Sequence, residues 1–256
     1  YNLIKETVDE FDVILVAFVE EPRPVPRELL KLCAEVVTVH RKGTHAVISR
    51  GRPDTVEEFD ASAFHAALRQ TIAKWTPGAV QLEFTQMAVY AKDCRIPTIL
   101  VEHDITYDLY AQMLARPESN DWETRRQHDL WLGFEQEAWR NVSRVVTMSE
   151  KDRAVVGAKA IAIGNGVDLV RFQPSPQAPQ ARRLLFIGSF AHRPNVLALE
   201  FFLKDVYPRL PDVTLHVIAG QNHKRFWDLQ HPGVEIEGFV SDVRPAYRAA
   251  TVVIAP

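Results

Sequence analysis

Cysteine is nearly missing from this chain. Only Cys33 and Cys94 occur in 256 residues, both in apolar, helical-looking surroundings and at no spacing that a metal site uses. Buried free thiols in a reducing compartment are favoured over a disulfide. Long apolar runs are missing as well. None approaches the eighteen or so residues of a membrane helix, and the opening residues lack a signal-peptide pattern, so the expected location is cytoplasmic. Nor is there a surplus of positive charge. A formal net charge of −3 argues against a nucleic-acid partner, although a local basic patch stays open. No HxxxH or HxE spacing signals a metal site, and His40, His45, His65, His128 and His216 read as packed or surface histidines. What remains is an ordinary globular composition, 46% hydrophobic and 25% charged, in a chain long enough for one large α/β domain or two small ones.

The most informative stretch is 183–220. Residues 184–187 are apolar without alternation, as in a strand buried on both faces. Gly188 and Ser189 break the run, and Pro194 stands where a helix should begin, a position at which a missing N–H costs nothing. Val196, Leu199, Leu203 and Val206 then recur at helical spacing. Pro208 and Pro211 end the helix, and 213–219 reads as a second strand ending at Gly220. This is a strand–helix–strand unit of the doubly wound kind, in which strand ends and a helix N-terminus form the ligand crevice. A lone Gly at such a turn is weak evidence, since a tight turn explains it equally.

The same alternation runs through the rest of the chain. Helical patterns are expected at 1–10, 27–33, 57–75, 85–91, 105–114, 121–141 and just after Ser149, a good N-cap with Glu150 in the first turn. Strands are expected at 11–19, 35–40, 79–84, 97–101, 142–148 and 160–163. Pro22, Pro24 and Pro26 make a rigid loop. Residues 41–53 are basic and loop-like, with Arg41, Lys42, Arg50 and Arg52 hinting at a basic surface. The helix at 121–141 carries Trp122, Trp131 and Trp139 and reads as a long helix with one packed face. Residues 173–180, QPSPQAPQ, form the one convincing linker. Beyond Gly220 a polar helix at 222–229, a strand through Glu237, a turn at Gly238 and Phe239, and a helix through Ala250 are expected. The fold class is therefore α/β with two Rossmann-like parallel-sheet domains, 1–170 and 183–256, joined by 171–182.

Taken together, IGNGVDLVRFQP (163–174), FIGSFAHRPNV (186–196), VIAG (217–220) and GVEIEGFVSDVRPAYRAATVVIAP (233–256) resemble glycosyltransferase family 4, retaining enzymes of the GT-B fold. The GSxxxRPN form is similar to the branch of bacterial exopolysaccharide and cell-surface sugar transferases. QLEFTQMAVY, ILVEHD and VVTMSEKD agree more loosely. The resemblance implies two domains facing a cleft and sugar transfer from a nucleotide-diphosphate donor to a glycan or lipid-linked acceptor. It implies no metal or other cofactor, and it leaves room for peripheral attachment at the inner face of the cell membrane. It further implies that the family's first strand would precede Tyr1. Its paired-glutamate motif would follow Pro256, so that the chain is a fragment, inactive alone, with an incomplete C-terminal domain.

Such a transfer must stabilise charge on a leaving diphosphate, which backbone N–H groups at a helix N-terminus do well. Gly188 and Ser189 would approach the phosphates, with Gly220 at the neighbouring strand end. Arg193 is the candidate cation, against the plain reading of a surface arginine; Pro194 occupies the place where the family often has a lysine. His192 would add a hydrogen bond or, at lower pH, a charge. The resemblance makes His103 the catalytic histidine of the acceptor-side domain, against a strand-end histidine bonded to Asp104 or a backbone carbonyl. Glu102 and Asp104 flank it and would orient an acceptor hydroxyl. Phe239 stands beside the nucleobase or else in the core. Asn165 and Gly166 lie at the domain crossing, where a tight left-handed turn explains both. Two other readings stay open. A GT-B-fold sugar-nucleotide epimerase would isomerise a sugar nucleotide without any acceptor, and a non-catalytic binding module would lack the paired glutamates.

Overall fold

The computed structural model describes residues 1–21, 23–41, 51–176 and 178–256. Pro22, Lys42, His45 and Arg50, noted above, lie outside the described residues. The chain divides into two compact units, Tyr1–Asn165 and Gly166–Pro256.

In the first unit the elements are α1 (Asn2–Thr7), β1 (Ile14–Val19), α2 (Arg27–Leu32), β2 (Glu35–His40), α3 (Asp54–Phe59), α4 (Ser62–Trp75) and β3 (Val80–Glu83). A 3-10 segment, Thr85–Asp93, follows. Then come β4 (Thr98–Glu102), α5 (Thr106–Leu114), α6 (Trp122–Asn141), β5 (Arg144–Thr147), α7 (Glu150–Val156) and β6 (Ala160–Ala162). β1 and β2 pair in parallel, from Ile14 opposite Glu35 to Val19 opposite His40. The larger sheet runs β3-β4-β5-β6, parallel throughout. Its apolar strands are buried by helices, as parallel sheets require: Leu82, Leu100 and Val145 from adjacent strands share one core with Phe64, Tyr90, Trp131 and Trp139. α6 starts on Asp121, whose Oδ1 accepts from Thr124 N at 2.7 Å, and turns Trp131 and Trp139 inward while Trp122 stays exposed. Ser149 caps α7 as expected, accepting from Asp152 N at 3.1 Å.

The single helix expected over 57–75 is two helices, broken at Asp60 and Ala61. Tyr90 explains the break. Its buried hydroxyl donates to Phe59 O and accepts from Ala61 N at 3.0 Å, so these two backbone groups are satisfied outside any helix. Burial pushes the Tyr90 hydroxyl up to about 12. The buried residues of α4 are Phe64, His65, Leu68 and Thr71. Both cysteines are free thiols.

The second unit holds β7 (Arg183–Ile187), α8 (Arg193–Phe201), β8 (Thr214–Ile218), β9 (Val234–Glu237), α9 (Arg244–Ala249) and β10 (Val252–Val253). Its sheet order is β10-β7-β8-β9, parallel at every step. The strand–helix–strand unit read from 183–220 is present. Val196, Leu199 and Leu203 pack on Leu184, Phe186, Leu215 and Val217, and the helix widens to a π turn at Phe202–Val206 before Pro208. The polar helix expected over 222–229 is only a 3-10 turn, His223–Arg225. Gly220 and Asn222 take positive φ, +80° and 52°, which helical backbone does not allow. Trp227 is held against Phe190, ring centroids 5.2 Å apart.

Candidate functional site

In open parallel sheets, ligands meet the carboxyl ends of the strands, so the site residues are best followed along those ends, one unit at a time. In the second unit three such ends stand side by side: Gly188 and Ser189 after β7, Gly220 after β8, and Gly238 after β9. Gly188 N–H donates to Ile218 O at 3.0 Å and Phe190 N–H to Ala219 O at 2.9 Å, which carries the β7–β8 ladder into the loop and anchors it. A Cβ on Gly188 would stand 2.8 Å from Asn195 Cγ and 3.0 Å from Phe186 Cε1. The glycine thus lets α8 close on β7. Its bare α-carbon faces inward and its N–H is spent on the sheet, which corrects the expectation that it opens the backbone to phosphate. Gly220, at φ +80°, has Ser189 in the Cβ direction, with Oγ 2.9 Å away. A side chain there would both clash and strain the backbone.

Ser189 is exposed. Its Oγ accepts from Ala191 N at 3.3 Å, and its carbonyl accepts from Asn195 Nδ2 at 3.0 Å and His192 N at 3.1 Å. These bonds coil the loop into the first turn of α8. That helix begins at Arg193, one residue before the expected start, with Pro194 in its first turn. His192 is the N-cap residue without a side-chain cap bond, and no acidic side chain lies in the first turn. Arg193 and His192 are exposed, and among the described residues Arg193 has no ion-pair partner. The unit therefore presents a helix N-terminus with its partial positive charge, an exposed serine and an uncompensated guanidinium along one edge, an arrangement suited to an anion. Phe239 is 64% exposed, so it is not a core residue. Sequence reasoning missed Asn195, which braces the turn, and His223, whose Nδ1 lies 3.4 Å from the Cβ direction of Gly238 and whose ring meets Phe190 edge-on. The spacing of three residues from Gly220 was the available signal for His223. His216, on β8, is a buried histidine bonded to Glu237 Oε2 at 2.8 Å.

In the first unit His103 follows β4. Its Nε2–H donates to Glu83 Oε2 at 2.9 Å, and its ring stacks on Phe84 with centroids 4.3 Å apart and planes at 27°. Among the described residues it bonds neither Asp104 nor a backbone carbonyl, the partners expected in the plain reading. Asp104 is exposed. Glu102 does not belong with them. Alternation along β4 turns it to the opposite face, where it is 1% exposed. There it accepts from Trp139 Nε1 at 2.7 Å and from the Thr85 hydroxyl. Burial pushes its carboxyl up to about 7. It cannot reach an acceptor hydroxyl at the surface. Glu135 on α6 is also fully buried and accepts from Thr106 N at 2.7 Å and Tyr107 N at 3.1 Å, capping α5 from the neighbouring helix. Burial, backed by the negative charge of Glu102, raises it to about 7 as well.

Asn165 and Gly166 are exposed and meet at the division between the units. Neither takes positive φ, so the left-handed turn expected there is not formed. Among the described residues no group of three His, Cys, Asp or Glu side chains is placed to hold a metal ion, and no helix is long and apolar enough to cross a membrane.

Residues 181–256 match the model of a family described as Glycosyl transferases group 1. In fold, the chain is similar to sucrose-phosphate synthase from Thermosynechococcus elongatus. The TM-score is 0.60 at 14% identity, covering 94% of this chain and 74% of that one. It is similar to LpCGTa in complex with UDP, with a TM-score of 0.52 at 11% identity, covering 98% and 71%. It is also similar to TarM of S. aureus in complex with fondaparinux, alpha-GlcNAc-glycerol and UDP, with a TM-score of 0.52 at 10% identity, covering 75% and 40%. No curated protein matches the chain in sequence. At these identities the structural likeness establishes the fold.

Proposed function

Since residues 181–256 match the model of the group 1 glycosyl transferases and the chain has the GT-B glycosyltransferase fold, we propose that the protein transfers a sugar, with retention, from a nucleotide-diphosphate donor to a glycan or lipid-linked acceptor. The second unit binds the donor. Ser189 N–H and the first turn of α8 meet the diphosphate, Arg193 neutralises the charge that builds on it as the sugar departs, and His192 adds a further donor. Gly220 leaves room beside Ser189, and Phe239 flanks the base. His103 is the catalytic group of the first unit, with Asp104 beside it.

One observation supports this reading most: Arg193 is exposed and lacks an ion-pair partner among the described residues at the start of α8, beside three aligned strand ends. A cation left uncompensated there suits a ligand that brings the negative charge. Isothermal titration of UDP, the nucleotide held by LpCGTa and TarM, into the protein tests it. Binding in the micromolar range is expected, with Arg193→Ala weakening it by roughly 10- to 100-fold, the worth of a hydrogen bond to a charged group. Failure of UDP, TDP, GDP and ADP alike to bind overturns the proposal.

A further inference from the structure

Phe84 holds a conformation that its residue type resists. At φ 72° and ψ 145° it lies in a region that is essentially reserved for glycine, and such strain persists in folded proteins where surrounding structure or function demands it. The fold does not demand this ring in the core: Phe84 is 52% exposed. The backbone twist instead swings the ring across the carboxyl end of β3, flat against His103 at the end of β4. Glu83, the preceding residue, bonds His103 through Oε2, while its Oε1 accepts from Gln81 Nε2 at 2.6 Å. Both Glu83 and His103 remain partly open to solvent, at 42% and 34%.

We propose that Phe84, Glu83 and His103 form a subsite for a neutral hexopyranose, with the sugar's C–H face lying on the Phe84 ring and its hydroxyls bonded to the Glu83 carboxylate and the imidazole. A pyranose is the ligand with this mixed character. One face presents axial C–H groups that suit an aromatic surface, and its rim presents hydroxyls that donate to carboxylate oxygens with free lone pairs. Stacking on His103 and the Glu83 bond fix both polar groups beforehand, so little ordering is left for binding to supply. Calling this sugar the transfer acceptor rests on the function proposed above; its binding does not.

The test is saturation-transfer NMR on the whole protein without nucleotide, using methyl β-D-glucopyranoside, methyl β-D-galactopyranoside and methyl α-D-mannopyranoside as probes. Saturation should reach the C–H protons of one sugar face for at least one of the three. Phe84→Gly removes the ring and relaxes the backbone, so the variant should fold at least as well as the wild type and lose the signal. Phe84→Tyr should keep it, and Glu83→Gln should weaken binding about tenfold. No transfer to any probe, or transfer undiminished in Phe84→Gly, overturns the subsite. UDP titration separates the two proposals: glycoside binding without nucleotide binding leaves the subsite and removes the transferase, and the converse removes the subsite alone.

Discussion

Replacing Glu102 by glutamine should make the first unit more stable by about 3 kcal/mol at pH 8 and by less than about 1 kcal/mol at pH 5. The carboxyl is 1% exposed, and burial raises it from the ordinary 4.5 to about 7. Between those values the folded protein holds a proton that the unfolded chain has released. Its stabilising effect is therefore complete below about pH 4.5 and is lost as the pH rises through 7. Each pH unit across that window is worth about 1.4 kcal/mol, so ionised Glu102 costs the folded state about 3 kcal/mol at pH 8. Glutamine copies the protonated form: its oxygen accepts from Trp139 Nε1, and its amide donates to the Thr85 hydroxyl, which rotates to accept. Removing the charge also relieves Glu135, whose own carboxyl is raised in part by Glu102. Urea unfolding followed by tryptophan emission at pH 5, 6, 7 and 8 reads the effect, because Trp75, Trp122, Trp131 and Trp139 all lie in the first unit. The carboxylates held below their ordinary range, such as Asp60 and Asp93, lose their contribution only below about pH 4, outside that window. Parallel stability curves for wild type and variant from pH 5 to 8 would refute the reasoning, since they would mean that Glu102 is no less easily ionised in the fold than in the open chain.

Two further outcomes check the second unit. Gly188→Ala drives a methyl group to within 2.8 Å of Asn195 Cγ and should cost about 1–3 kcal/mol by overpacking. Adding Asn195→Ala should return part of that loss, and a double-mutant cycle in urea showing strict additivity would contradict the contact. Leu215→Ala, at a site with no exposure between α8 and the sheet, should cost about 3–5 kcal/mol. A change below 1 kcal/mol in the transition reported by Trp227 would mean that this core is looser than the packing implies.

Where pattern and chemistry agreed, the sequence was enough. The apolar run at 184–187, the helical spacing of Val196, Leu199 and Leu203, and the strand ending before Gly220 specify a parallel strand–helix–strand unit, because only that arrangement buries all three apolar faces at once. Ser149 announced its cap through hydroxyl chemistry alone. The motif at 186–196 lies within the stretch, residues 181–256, that matches the group 1 glycosyl transferase model.

Other features depended on partners distant along the chain. Whether 57–75 is one helix or two turns on a hydroxyl from Tyr90, 29 residues beyond Ala61, and no local periodicity encodes it. Glu102 and His103 are adjacent in sequence, yet the pleat of β4 sends one into the core toward Trp139 and the other out to Glu83 and Phe84. Which of two neighbouring acids or bases meets solvent is decided by the face a strand turns to its neighbours. The inward use of Gly188 has the same origin, since its missing Cβ matters only once α8 has folded back against β7. Residue types and their local spacing determine which elements form and what chemistry is available; the packing of elements far apart in the chain decides which of those groups face a ligand and which are spent holding the fold together.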